Sequence, residues 1–254
     1  MRDIGYYKDL IFVLTQKEIK VRYKNTVLGY FWSVTNPLAF ALVFYIAFKI
    51  IMRVPIEDYA LFLIAGLFPW QWFANSVNAS ATVLLGNASL IKKINFPRNI
   101  IPLTMVMQDM IHFLLSIPVI VLFMLLYHKS LSWSWIYGIP LLLGIQFLMT
   151  YGFTLMVSSI NLFFRDVERL TSIFMTLLFY FTPIIYPETM IPDRYDYWLY
   201  LNPLSALMIS WRKLFLEGSL EMNALLLSLG YSLLSLLVGY WVFRRLSRRF
   251  AEVL

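Results

Sequence analysis

The chain has 254 residues, of which 60% are hydrophobic and only 14% charged, with a mean hydropathy of +0.71. A water-soluble domain carries far more polar surface, so most of this chain has lipid as its solvent. Cysteine is absent, which excludes a disulfide framework and thiolate chemistry. The net charge of +7 takes its meaning from where the cations sit.

The opening segment, MRDIGYYKDLIFVLTQKEIKVRYKN, is charged throughout and has no small-residue cleavage site, so it does not read as a removable signal peptide. Ile4, Tyr7, Ile11 and Leu14 recur at helical spacing, while Lys8, Lys17, Lys20, Arg22 and Lys24 supply cations. This predicts an amphipathic interface helix within residues 1–26, lying on the inner leaflet. Its basic face suits anionic headgroups and a docking partner equally.

A spanning helix needs about 20 mostly apolar residues. Stretches 27–48, 59–85, 100–127, 133–164 and 222–243 meet that requirement, and several are longer than one bilayer. A sixth, 170–186, has 17 residues and ends in TPIIYP. Segment 187–219 is apolar but broken by Asn202-Pro203 and Arg212-Lys213. With six spans and both termini inside, 15 of the 21 Lys and Arg fall on the inner side. A seventh span would export RRLSRR and weaken that bias. Residues 187–219 are therefore expected to form a re-entrant or interfacial helical pair on the outer face, where irregular backbone must be covered by protein or water.

The expected fold is an all-α membrane protein with six transmembrane helices, an N-terminal amphipathic interface helix, and a re-entrant helical pair between the fifth and sixth spans. One transmembrane domain covers 1–254: the interface helix at 1–26, five spans at 27–186, the external region at 187–219, and the last span with a basic cytoplasmic tail at 220–254.

The chain carries no Gly-x-x-x-x-Gly-Lys phosphate cradle and no Gly-x-Ser-x-Gly elbow. Its two histidines, His112 and His128, lack metal-ligand spacing. No catalytic, metal or cofactor site is expected. Such a chain can build a pathway but has no recognisable engine.

Asp109 and His112 stand three apart on one face of the third span. Intramembrane ionisable groups are functional by default, although pairing with each other or with a neighbouring helix would serve assembly alone. Arg212 and Lys213 suit phosphate contact or snorkelling to headgroups. The chain has 21 Phe, 16 Tyr and 8 Trp, and interfacial belts account for most of the Tyr and Trp. Rings with hydroxyl tips can also match a solute that has apolar faces and polar edges. Candidates to line a path through the membrane are Tyr30, Phe40, Phe44 and Tyr45 on the first span, with Phe179, Tyr180, Phe181 and Tyr186 on the fifth.

Two short inner loops, KKINFPRN and NLFFRDVERL, mix aromatic and charged residues. Phe96-Pro97 favours a rigid knob, because proline fixes its own φ and pushes the preceding residue out of helix. Lys92, Lys93 and Arg98 would by themselves do no more than set topology. Arg165-Asp166 and Glu168-Arg169 balance cations with acids, which suits a protein contact needing electrostatic register.

VRYKNTVLGYFWSVTNPL at 21–38, IKKINFPRNIIPL at 91–103, NLFFRDV at 161–167, TPIIYP at 182–187 and LNPLSALMISWRKLFLEG at 201–218 follow in that order. Together they resemble the permease subunit of bacterial polysaccharide ABC exporters, a family that moves O-antigen, capsular polysaccharide or teichoic acid. The resemblance implies a homodimer of six-span subunits in the bacterial cytoplasmic (inner) membrane, with two separate ATP-binding subunits that hold ATP and Mg. It implies a lipid-linked polysaccharide as cargo, O-antigen first, with membrane lipids but no nucleic acid as other partners. It places the coupling elements at Lys92, Lys93, Phe96, Pro97 and Arg98, and at Arg165 and Asp166. Leu28-Gly29 would link the surface helix to the first span. Two rivals stand beside this reading. One is an ABC permease for drugs or small lipids. The other is a membrane enzyme acting on polyprenyl-linked sugars, for which Glu57-Asp58 and the acids at 193–196 lack catalytic spacing.

Overall fold

The computed structural model of the protein describes residues 4–22, 31–195 and 197–253, all of its regular structure helical. The Leu28-Gly29 link and Tyr30 lie outside the described residues. Four helices are long and apolar enough to cross a membrane: α3 (Tyr59–Gly86), α5 (Ile100–Leu126), α6 (Trp135–Asn161) and α10 (Met222–Ser247). At about 1.5 Å per residue each extends roughly 40 Å, beyond a hydrocarbon core of about 30 Å.

The stretches expected as the first and fifth spans are shorter helices. α2 (Trp32–Phe44) continues without a break into a π-helical run, Tyr45–Ile51. α7 (Val167–Phe181) has 15 residues, beginning before 170 and stopping short of 186. Pro183 explains the stop. It disfavours helix at the residue before it, and Thr182 is extended, with φ −96° and ψ 135°.

α1 (Ile4–Arg22) is packed against the bundle rather than lying apart from it. Tyr7, Leu10, Ile11 and Leu14 join a cluster with Phe96, Phe243 and Phe250. Lys17 Nζ donates to Asn87 Oδ1 at 2.8 Å. Phe12 and Val13 stay exposed on another face. The same cluster takes Ile91 of α4 (Ala88–Lys93), Leu162 and Phe250 of the short helix α11 (Phe250–Val253), so both inner-loop candidates gather with α1 and α11 at one end of the bundle.

At the far end, two 3₁₀ turns and α8 (Tyr197–Leu201) lead to α9 (Ser205–Glu217). Five-residue α8 and thirteen-residue α9 therefore flank Asn202-Pro203. α9 is a core element, with Leu207, Trp211, Leu214 and Phe215 fully buried against α3, α6 and α10. Trp211 Nε1 donates to Gln146 Oε1 at 2.6 Å, and Gln146 Nε2 donates to the Pro69 carbonyl at 2.7 Å. One amide thereby ties α9, α6 and α3 together inside the apolar layer.

α6 and α10 form the most extensive helix pair. Gly152 on α6 and Gly239 on α10 meet backbone to backbone. A Cβ added at Gly239 would lie 2.7 Å from the Gly152 carbonyl carbon and closer still to its oxygen. Ser228 and Ser232 are buried on α10 too. Small residues at this spacing let helices approach where lipid provides no hydrophobic drive between them.

Candidate functional site

A cavity of about 610 Å³ opens between α2, α3, α5 and α7. Its polar lining comes as three stripes. α3 contributes Gln71, Asn75 and Asn78, at helical spacing on one face. α5 contributes Asp109, His112 and Ser116, and α7 contributes Ser172 and Thr176. Aromatic rings stand between them. Phe179 lies 5.6 Å from both Phe44 and Trp70, and Trp72 stacks on Phe113 at 5.6 Å. Asp109 is nearly buried and accepts from Ser76 Oγ at 2.9 Å. The acid therefore has a partner on α3 while still facing the cavity.

Four of the eight aromatic candidates line this space: Phe40, Phe44, Phe179 and Tyr180. Tyr45 instead lies against Tyr59, with ring centres 6.5 Å apart. Phe181 is exposed outside the cavity. Tyr186 donates to the Tyr180 carbonyl at 3.0 Å and so braces α7 from beyond its end. Asp109 and His112 share the lining with the aromatics. The α3 amides were missed, although Gln71, Asn75 and Asn78 recur at i, i+4 and i+7 in an otherwise apolar run. That spacing was the available signal.

The second region is the end where α1, α4, α11 and both short loops converge. Lys92, Lys93, Pro97, Arg165 and Asp166 are exposed. Phe96 is turned into the cluster, 7% exposed. Arg98 Nη1 donates to the Ser247 carbonyl at 2.6 Å, satisfying an orphan acceptor at the end of α10, and its guanidinium lies 5.8 Å from the Phe250 ring. Asn161, also missed, is buried and does two jobs. Its Nδ2 donates to the Ala81 carbonyl on α3 at 2.7 Å, and its Oδ1 accepts the Glu168 backbone N–H at 2.9 Å. The turn carrying Arg165 and Asp166 is thereby fixed to α3 on one side and to the first turn of α7 on the other.

At the opposite end, Arg212 turns inward instead of meeting headgroups. It is 5% exposed, sits 3.8 Å over the Phe62 ring, donates to the Pro183 and Ile184 carbonyls, and pairs with Glu188 at 3.5 Å. It thereby satisfies carbonyls of the turn that follows α7, while Asn202 and Tyr186 cap the last carbonyls of α7 itself. Lys213 stays near the surface between Glu188 and Glu221. Partial burial works against its charge, but Glu221, Glu188 and Glu217 outweigh it and hold the ammonium above its usual range. Among the described residues no group of three His, Asp or Glu could hold a metal ion.

The cavity is walled by amides and rings inside an apolar bundle, with a fixed loop surface at one end. The chain is 46% identical over 252 residues to the O-antigen export system permease protein RfbA of Klebsiella pneumoniae, covering 99% of this chain and 97% of that one. It is 31% identical over 255 aligned positions to the RfbA of Myxococcus xanthus, at 99% and 98% coverage. It is 24% identical over 235 residues to the polysialic acid transport protein KpsM of Escherichia coli, at 90% of each chain. The ABC-2 type transporter family matches residues 9–216, and the chain belongs to that family.

Proposed function

We propose that the chain is the permease subunit of an ABC exporter that moves a lipid-linked polysaccharide of the O-antigen type across the bacterial cytoplasmic membrane. A separate pair of ATP-binding subunits holds ATP and Mg and drives it. The observation that carries this reading is the cavity. Gln71, Asn75 and Asn78 line it, with Asn75 and Asn78 exposed, and amides left against hydrocarbon would cost several kcal/mol. They are supportable where water, a sugar chain or a second copy of this chain covers them. Rings among the amides offer a sugar chain stacking surfaces and hydrogen bonds without one deep binding well.

In this reading two copies face each other across the cavity, α2 with Tyr45–Ile51 and α7 complete a six-span topology, and α8 and α9 form a re-entrant cap on the outer face. Both termini and the loops bearing Lys92, Lys93 and Arg165-Asp166 lie on the cytoplasmic side. The concentration of Lys and Arg at that end supports this orientation.

The test is where glycan accumulates in cells lacking the protein. Polymer should build up on the cytoplasmic side, still on its lipid carrier, and the wild-type chain should restore export. Asn75→Leu with Asn78→Leu should reach wild-type levels in the membrane and fail to restore it. If polymer reaches the surface normally while small lipids or drugs are retained, the polysaccharide reading falls and the family assignment stands.

A further inference from the structure

A second cavity, of about 360 Å³, lies away from the first, between the approach to α5 and the last turns of α10. Pro97, Arg98 and Asn99 form one wall; Tyr240, Phe243, Arg244, Ser247 and Arg248 form the other. Three guanidinium groups thus surround one groove, and among the described residues none of the three is ion-paired. Arg98 is partly pre-organised, because one arm of its fork is spent on the Ser247 carbonyl and the ring of Phe250 flanks it. The remaining N–H groups of an arginine fork match phosphate oxygens well.

The surface leading to the groove runs in register. Leu233, Leu237, Tyr240 and Arg244 on α10 and Arg248 just past its end follow one another at steps of four, three, four and four, and all are exposed. Two leucines, then a tyrosine, then two arginines is the order in which a phospholipid presents acyl chain, glycerol and phosphate. Tyrosine favours that boundary layer, and basic pockets between membrane helices hold anionic headgroups. Simple topology signalling would not require a groove, nor a third arginine brought from the loop before α5 and held by hydrogen bond.

We infer that this groove binds the phosphate headgroup of an anionic membrane phospholipid, with its acyl chains along Leu233 and Leu237, and that the lipid joins the start of α5 to the end of α10. The inference depends on the chain being embedded in a bilayer, and not on what cargo the first cavity carries.

The full-length protein, purified in mild detergent, is examined by native mass spectrometry with added phosphatidylglycerol or phosphatidylcholine. The wild type should retain phosphatidylglycerol in preference. At roughly the attraction expected per basic residue near an anionic headgroup, Arg244→Gln should reduce retention about fivefold, and Arg244→Gln with Arg248→Gln about thirtyfold. Arg245→Gln removes the same charge one residue away, from a side chain stacked on Trp241 instead of facing the groove. It should leave retention within about twofold. Equal losses from Arg245→Gln and Arg244→Gln would mean diffuse attraction and overturn the site. So would retention of a polyprenyl diphosphate with no retention of phosphatidylglycerol, because the groove would then belong to the cargo. Melting temperatures near wild type confirm that each variant remains folded.

Discussion

The contact between Gly152 and Gly239 allows a matched pair of substitutions to test what holds the bundle together. A methyl at Gly239 would sit 2.7 Å from the carbonyl carbon of Gly152. Carbon atoms in good contact are about 3.5–4.0 Å apart, so the helices would have to part by about 1 Å. That is backbone against backbone, and no rotamer can relieve it. Overpacking of this kind costs about 1–3 kcal/mol, here at the upper end because the α6–α10 pair is the most extensive in the fold. For a chain of this length, Gly239→Ala should lower the melting midpoint by about 5–10 °C, read by thermal unfolding of the detergent-solubilised protein. Gly230, on the same helix, has nothing within 4 Å of its missing Cβ. Alanine there adds about 0.5–1 kcal/mol of helix preference and should raise the midpoint slightly. If both variants shift the same way by similar amounts, close packing at Gly239 is not what joins α6 to α10.

Two further substitutions probe the buried polar ties. Gln146→Leu keeps most of the side-chain volume but orphans the Trp211 N–H and the Pro69 carbonyl bond. It should cost about 2–3 kcal/mol, or about 5–10 °C in the same thermal assay, and an unchanged midpoint removes the bridge from the account of the core. Asn161→Leu frees the Glu168 N–H and the Ala81 carbonyl. Hydrogen exchange in peptides spanning 162–170 should accelerate by about tenfold or more, and unaltered exchange there means the turn is held by something else.

Four long spans were legible because apolar runs of that length admit one reading in lipid. The end of α7 was less legible: apolar residues continue to Tyr186, but Pro183 already stops the helix at Phe181. Composition detects hydrophobicity; the backbone responds to proline. Phe40, Phe44, Phe179 and Tyr180 were chosen for chemistry alone and do line the cavity, whereas Tyr45, Phe181 and Tyr186, equally plausible by chemistry, do not. Which side of a helix faces a pathway is set by tertiary packing, and a helix apolar all round hides that in its sequence. Arg212 shows the limit most clearly. Its acceptors are carbonyls about thirty residues earlier, created where another helix stops, and no spacing rule connects a cation to them.

The two candidate coupling loops differ in what they are attached to, and this bears on how a push from a docked ATPase would travel. The 94–99 loop is tied to α10 through Arg98 and to the cluster beneath it through Phe96. The 162–166 turn runs straight into α7, with Asp166 at the helix entrance and Asn161 anchoring it to α3. α7 is also the helix whose Ser172, Thr176 and Phe179 line the cavity. From Asp166 to Phe179 is about 20 Å along one continuous helix. A displacement at Arg165-Asp166 therefore reaches the cavity wall through a single rigid body, with no intervening joint. The 94–99 loop leads as directly into α5, whose Asp109, His112 and Ser116 line the same cavity about 15 Å or more along that helix, and Arg98 ties it to α10 besides. Each loop thus has one continuous helix to the cavity wall, and they differ in their cross-ties: Arg98 holds the first to α10, and Asn161 holds the second to α3.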